Sequence, residues 1–158
     1  MAKGISEPAQ KRGLAFAGGK FDLNKNATLP TSAFADATSS LAGYLGDRED
    51  ASEIAQEIGN AFTDIDDKLL LASALPGCEK LLFPGNFSRR TCSIGGKDSV
   101  MRLQYAIRRL LKVICNNIKG VVLFIDDLQW SDVATIELLK SIALDREISS
   151  LLLVLLGL

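Results

Sequence analysis

The sequence predicts an α/β fold built on a mainly parallel sheet. Three short apolar runs, residues 14–17, 121–125 and 151–156, read as strands separated by stretches of helical period. The second run is apolar at every position, the pattern of a strand buried on both faces of a parallel sheet rather than one wetted on alternate residues. Strand, helices, strand, helix, strand is the element order of a doubly wound sheet. At 158 residues the chain is long enough for one real core and not for two.

Residues 1–12 are polar, with Gly4 and Pro8 and no apolar period, and are expected to be tail or a remnant of helix. Leu14-Ala15-Phe16-Ala17, bounded by Gly13 and Gly18-Gly19, is the first strand, and residues 21–30 read as loop. Thr31 or Ser32 can cap a helix whose apolar face carries Phe34, Ala37, Leu41 and Leu45. A second helix over residues 50–62 places Ile54, Ile58 and Phe62 four apart, and a third over 64–75 has Asp64, Asp66 and Asp67 in its first turn, where the helix dipole favours them. Residues 76–97, punctuated by Pro84, Gly85, Gly95 and Gly96, are expected to form a surface loop or insertion. From Asp98 the period returns, and Leu103, Ile107, Leu110, Leu111, Ile114 and Ile118 make one stripe. Arg102, Arg108, Arg109, Lys112 and Lys119 fall off that stripe, on a face expected to be solvated. Gly120 ends the helix before the second strand. Ser131 or Asp132 opens a helix through Val133, Ile136, Leu139 and Ile142, and residues 151–156 form a last, buried strand.

Composition removes several classes of function. Hydrophobic content of 47% and charged content of 23% are those of a soluble globular domain, and a net charge of −1 gives no field for nucleic acid or an anionic membrane. The absence of histidine excludes Ser-His-Asp and Cys-His catalysis and most zinc sites. Cys78, Cys92 and Cys115 are widely spaced and odd in number, as expected of reduced thiols in a cytoplasmic chain. Residues 1–13 lack the apolar core of a signal peptide, and the Leu-rich residues 151–158 are far short of the roughly 20 that span a bilayer.

The most informative stretch is Val121-Val122-Leu123-Phe124-Ile125-Asp126-Asp127-Leu128-Gln129-Trp130-Ser131-Asp132. Its acid pair falls at the carboxyl end of a buried strand, where open α/β sheets place their ligand sites. Adjacent carboxylates beside apolar packing are costly unless positive charge accompanies them. A hydrated magnesium ion carrying nucleotide phosphates answers that need, since this hard cation takes carboxylate and phosphate oxygens. A plainer reading has the acids starting a turn, with Ser131 or Asp132 capping the next helix. The continuation Leu-Gln-Trp-Ser-Asp favours the nucleotide reading, because no propensity rule asks for Trp there. The stretch resembles a Walker B element.

The partner of such an element is a phosphate loop, G-x-x-x-x-G-K-[ST], whose backbone amides cradle phosphates. Gly18-Gly19-Lys20-Phe21 fails the pattern: Leu14 stands at the required first glycine and Phe21 lacks the hydroxyl. Gly95-Gly96-Lys97-Asp98 fails too, with Thr91 at the glycine position. No phosphate loop is present in the sequence.

Gly18-Gly19-Lys20-Phe21-Asp22, the helical stretch and residues 121–132 together resemble AAA-type ATPase modules of the STAND class, the ATPases of large signalling chains that sometimes adjoin kinase domains. In that family the phosphate loop precedes the Gly-Lys-Phe-Asp strand by one helix. The resemblance therefore implies a partial three-layer P-loop NTPase fold over residues 1–158, lacking its first and fifth strands, with the sheet order 5-1-4-3-2. It stops before the polar sensor residue that usually follows the fourth strand. It implies that Asp126 is the magnesium-linked carboxylate and that Asp127 polarises the water attacking ATP. Trp130 and Asp132 match the motif's tail, Trp130 as a packing anchor or a neighbour of the nucleotide, whereas Lys20 has no implied role beyond surface charge. Mg2+ and ATP belong to the complete module, and this chain alone is expected to bind neither tightly.

Two alternatives differ in class. A response-regulator receiver also carries an acid pair after an apolar strand, but on its first strand and with a later Asp and Lys for which too little chain follows Asp127. A non-catalytic pseudo-ATPase, acting as an interaction module among other domains of a signalling protein, accounts for the missing phosphate loop. The implied sheet order leaves residues 151–156 as an apolar edge, so self-association through that strand is expected, and no nucleic-acid or membrane partner.

Overall fold

The computed structural model describes residues 2–22, 32–75, 77–83 and 97–157. In chain order the elements are α1 (Ala2–Lys11), β1 (Ala15–Lys20), α2 (Ser32–Gly46), α3 (Ala51–Ala61), α4 (Ile65–Ala74), α5 (Glu79–Leu82), α6 (Lys97–Asn117), β2 (Val121–Asp126), a 3-10 turn (Leu128–Trp130), α7 (Val133–Leu144) and β3 (Leu151–Leu155). The fold is α/β with a three-stranded parallel sheet in the order β1-β2-β3, as the sequence predicts. Ala15 pairs with Val121 and Lys20 with Asp126 on one side of β2, and Val121 pairs with Leu151 and Ile125 with Leu155 on the other.

The central strand is buried on both faces, with Val121, Val122, Leu123, Phe124 and Ile125 all at 2% exposure or less. Strand alternation sends Ala15, Ala17, Val121, Leu123 and Ile125 into the main core, while the rings of Phe16 and Phe124 meet on the opposite face, 6.1 Å apart. Small residues on the core face of β1 let α2 lie close along it. At Gly19 the approach is backbone to backbone: a β-carbon there would stand 1.9 Å from the carbonyl oxygen of Ala33.

Each stripe read from the helical period packs as expected in α2, α3 and α6. Phe34, Ala37, Leu41 and Leu45, then Ile54 and Ile58 with Phe62 just past the helix end, then Leu103, Ile107, Leu110, Leu111 and Ile114 with Ile118, are all buried. Burying one such large side chain is worth about 1.5–3 kcal/mol, so these stripes carry much of the fold. Asp64 caps α4 by accepting from the Asp66 amide at 2.8 Å, and Asp132 caps α7 by accepting from Thr135 at 2.7 Å. The side chains proposed to cap α2 lie outside the described residues.

The structure corrects the reading in several places. Of the two readings of the N-terminal stretch the helix is the one observed: residues 2–11 are helical, with Ala9 buried. β1 continues through Gly18, Gly19 and Lys20, because its ladder with β2 outweighs the weak strand preference of glycine. Phe21 lies past the end of β1, as read, but its side chain is buried at 1% exposure. Glu79–Leu82 forms a helical turn whose Leu81 and Leu82 are buried, where surface loop was expected; residues 84–96, with Cys92, lie outside the described residues. In α7 the buried stripe is Thr135, Leu138, Leu139 and Ile142, and Val133 is exposed: a threonine completes the apolar face and hides its phase. β3 is not a buried strand. It is an edge among the described residues, and Leu152 and Leu155 are 56% and 40% exposed.

The basic residues off the α6 stripe are not simply solvated either. Arg102 bridges Asp64 and Asp67 of the α4 first turn at 3.3 and 2.6 Å, Arg108 meets Asp145 at 2.6 Å, and Lys112 pairs with Glu147. Arg109 lies over the Phe62 ring. No helix among the described residues is long and apolar enough to cross a membrane.

Candidate functional site around the acid pair

Parallel strands bring their carboxyl ends to one edge of the sheet, and there Lys20 of β1 and Asp126 of β2 stand in register. The pairing continues one step further, with the Phe21 amide donating to the Asp126 carbonyl at 3.1 Å. Beyond Asp126 the chain turns abruptly. Asp127 adopts the left-handed conformation (φ 57°, ψ 42°), the one positive-φ residue other than glycine among those described. Short polar side chains tolerate this geometry best, though at a cost of order 1–3 kcal/mol for a residue with a β-carbon.

Local hydrogen bonds offset that cost. The Asp127 amide donates to Asp126 Oδ1 at 2.9 Å, and Gln129 Nε2 reaches Asp127 Oδ1 at 3.4 Å. The Asp127 carbonyl accepts from the Trp130 amide at 3.0 Å to close the 3-10 turn, and the Leu128 carbonyl accepts from both the amide and the hydroxyl of Ser131. The turn is also tied to the sheet: the Leu128 amide donates to the Leu156 carbonyl at 2.9 Å, and the Leu156 amide to that of Ile125 at 2.9 Å. Leu156, just past β3, therefore holds the loop after the acids.

The electrostatic feature invisible in the sequence is Lys20. Its Nζ lies 3.1 Å from Asp127 Oδ2, with the lysine side chain 68% and the aspartate side chain 31% exposed. The hydrogen bond and charge of Asp127, helped by Asp126 and Asp22, push the Lys20 ammonium pKa above its ordinary value. Lys20, expected as surface charge, is an exposed side chain ion-paired with Asp127. Strand register could have signalled this, since pairing 15 with 121 sets 20 beside 126.

Asp126, expected as metal ligand, ends β2, and Asp127, expected as water-polarising acid, opens the turn after it; both are half-buried. Trp130 lies in the 3-10 turn after the acids and is 45% exposed. Asp132 is the α7 cap, as the plainer reading has it. Among the described residues no three or more His, Cys, Asp or Glu side chains converge on one point. The Gly18-Gly19-Lys20 segment is no phosphate cradle, being strand bonded into the sheet. A cavity of about 380 Å³ lies elsewhere, between α6 and the turn preceding β3, lined by Tyr105, Arg108, Arg109, Lys112, Asp145 and Glu147 among others, and it includes neither acid.

No curated protein and no solved structure matches the chain. The sequence profile of the AAA ATPase domain family matches residues 2–155, which takes in every strand of the sheet and both acids. The match spans nearly the whole α/β sheet domain, and the chain belongs to the AAA ATPase domain family.

Proposed function

We propose that the chain supplies the acidic half of a nucleotide site: a Walker B strand of a STAND-type AAA ATPase, in which Asp126 is a ligand of nucleotide-bound magnesium and Asp127 polarises the attacking water. The observation that carries this reading is the position of the pair, at the end of a fully buried central strand, with Asp127 held in a left-handed turn. Strained backbone at the ligand-binding edge of an α/β sheet is a feature of sites more than of scaffolds. AAA ATPases in general use nucleotide with Mg2+. The bound ion would neutralise charge developing on the phosphates. Asp126 would hold it and Asp127 would face the water, with exposed Trp130 available to a nucleotide nearby.

The sequence contains no phosphate-loop pattern, so two carboxylates offer negative charge to a negative ligand. The chain as given is therefore expected to show no micromolar affinity for ATP by calorimetry and no turnover. Its metal half can be tested directly. Mn2+ added to the 15N-labelled protein should broaden the amide signals of residues 125–128 first, and Asp126→Asn should abolish the effect. Broadening centred elsewhere, or unchanged in that variant, would defeat the assignment.

A second reading, a non-catalytic interaction module, is supported by the exposed leucines of β3 on an edge that pairs with nothing else among the described residues. Both readings place the chain among the domains of a larger cytoplasmic signalling protein, with kinase domains as candidate neighbours.

A further inference from the structure

We propose that Lys20 is a built-in counter-ion of the acid pair, whose ammonium on Asp127 competes with a divalent cation for the pair's charge. The inference rests on the metal reading of Asp126 and Asp127 given above. Two neighbouring carboxylates repel, and their loop is held partly out of water. Either a cation from solution or one from the chain must offset that repulsion. The fold provides the latter through strand register: Lys20 is placed opposite Asp126 and its ammonium reaches Asp127 Oδ2 at 3.1 Å.

The placement leaves little alternative for the lysine's backbone. Gly19 is pressed against Ala33 of α2, and the next amide, that of Phe21, is bonded to the Asp126 carbonyl with the Phe21 ring buried. Lys20 is thus anchored on both sides while its side chain stays 68% exposed. An anchored backbone with a long, exposed side chain suits a charge that can swing away when another cation arrives. Lysine is suited to this exchange, being a compact point charge without the bidentate grip that arginine has on a carboxylate. Removing the ammonium leaves the acids intact and their repulsion uncompensated, so a metal ion should bind more tightly.

The test is Mn2+ affinity, read by the EPR signal of free Mn2+, on the whole chain with Lys20→Met, Lys20→Gln, Lys20→Arg, Asp126→Asn and Asp127→Asn. An exposed ion pair of this kind is worth about a two- to fivefold change in affinity at low salt. Lys20→Met and Lys20→Gln should therefore tighten Mn2+ by that factor, with the gain shrinking as salt is raised. Lys20→Arg should restore wild-type or weaker affinity, and the gain should vanish when Lys20→Met is combined with Asp127→Asn. The two uncharged variants guard against a change peculiar to one side chain, and circular dichroism of each checks the fold. Equal Mn2+ affinity in wild type and both uncharged variants, with binding still lost in Asp126→Asn, overturns the role of Lys20 and leaves the metal site standing. No binding in any variant overturns both.

Discussion

Replacing Gly19 by alanine tests the contact that positions Lys20. The added β-carbon would lie 1.9 Å from the Ala33 carbonyl oxygen, 2.7 Å from its carbonyl carbon and 3.2 Å from its α-carbon. These are backbone atoms, so no side chain can rotate out of the way. β1 and α2 must separate by about 1.1 Å to reach even the shortest contact that real β-carbons show, 3.0 Å. That displacement lifts Ala33, Phe34, Ala37 and Leu41, all at 2% exposure or less, off the sheet. A gap of 0.5–1 Å forfeits roughly a quarter to a half of the dispersion energy of the atoms facing it. The expected cost is at the upper end of ordinary overpacking, about 3 kcal/mol, or roughly 6–12 °C in Tm for a domain of this size.

Urea and thermal denaturation followed by far-UV circular dichroism measure this, and Gly43→Ala in α2 is the internal control. Nothing lies within 4 Å of a β-carbon at Gly43, so alanine there should stabilise the helix by up to about 1 kcal/mol. Opposite signs for the two substitutions are the expected result. A Gly19→Ala protein within 0.5 kcal/mol of wild type would refute the close backbone approach of β1 to α2.

Three further outcomes follow from the same structure. Asp132→Ala removes the α7 cap and should cost about 1 kcal/mol, seen as a fall in Tm of roughly 2–4 °C. Burial pushes the thiols of Cys78 and Cys115 from 9.0 up to about 11, so the fold accepts them only as neutral thiols. With the folded value above the unfolded one, stability is intact below pH 9 and falls as the pH rises towards 11; Cys78 accounts for about 2–3 kcal/mol of that loss, which urea midpoints under reducing conditions should show and Cys78→Ala should relieve. Leu152→Lys with Leu155→Lys should shift the chain from self-associated to monomeric in sedimentation at matched concentration with stability changed by little more than 0.5 kcal/mol, because both side chains are exposed, whereas Leu153 packs on the core. Unchanged sedimentation would remove β3 as the association surface.

What the sequence shows and what it hides divide along one physical line. The strands and most helices were legible because their signals are local: a wholly apolar run for β2, a 3.6-residue stripe for α6, first-turn aspartates for α4 and a capping aspartate for α7. The acids were legible because they break an apolar run abruptly. The errors came where packing between distant segments decides. β1 runs through two glycines because β2 offers it a ladder, and Leu81 and Leu82 are buried in a stretch whose composition reads as loop. Arg102, Arg108 and Lys112 found acids some 35 residues away that no helical wheel reveals. Lys20 was missed for the same reason, its partner being set by register rather than by spacing.

At the end of β2 the chain makes two locally unfavourable choices at one point. Asp127 takes a backbone conformation that glycine adopts more freely, and it carries a second carboxylate next to that of Asp126. Glycine at 127 would remove both difficulties and still permit the 3-10 turn. A purely structural account of the turn therefore explains the bend but not the charge. The surroundings are arranged to tolerate the charge: an amide on Asp126, a glutamine and a lysine on Asp127, and a main-chain tie from Leu128 to the strand beside it. Sites where local rules are broken and the cost is met by neighbours are where a folded chain keeps its chemistry. A carboxylate held against its backbone preference, with a displaceable lysine across the sheet, is more economically understood as a cation site at rest than as the start of a helix.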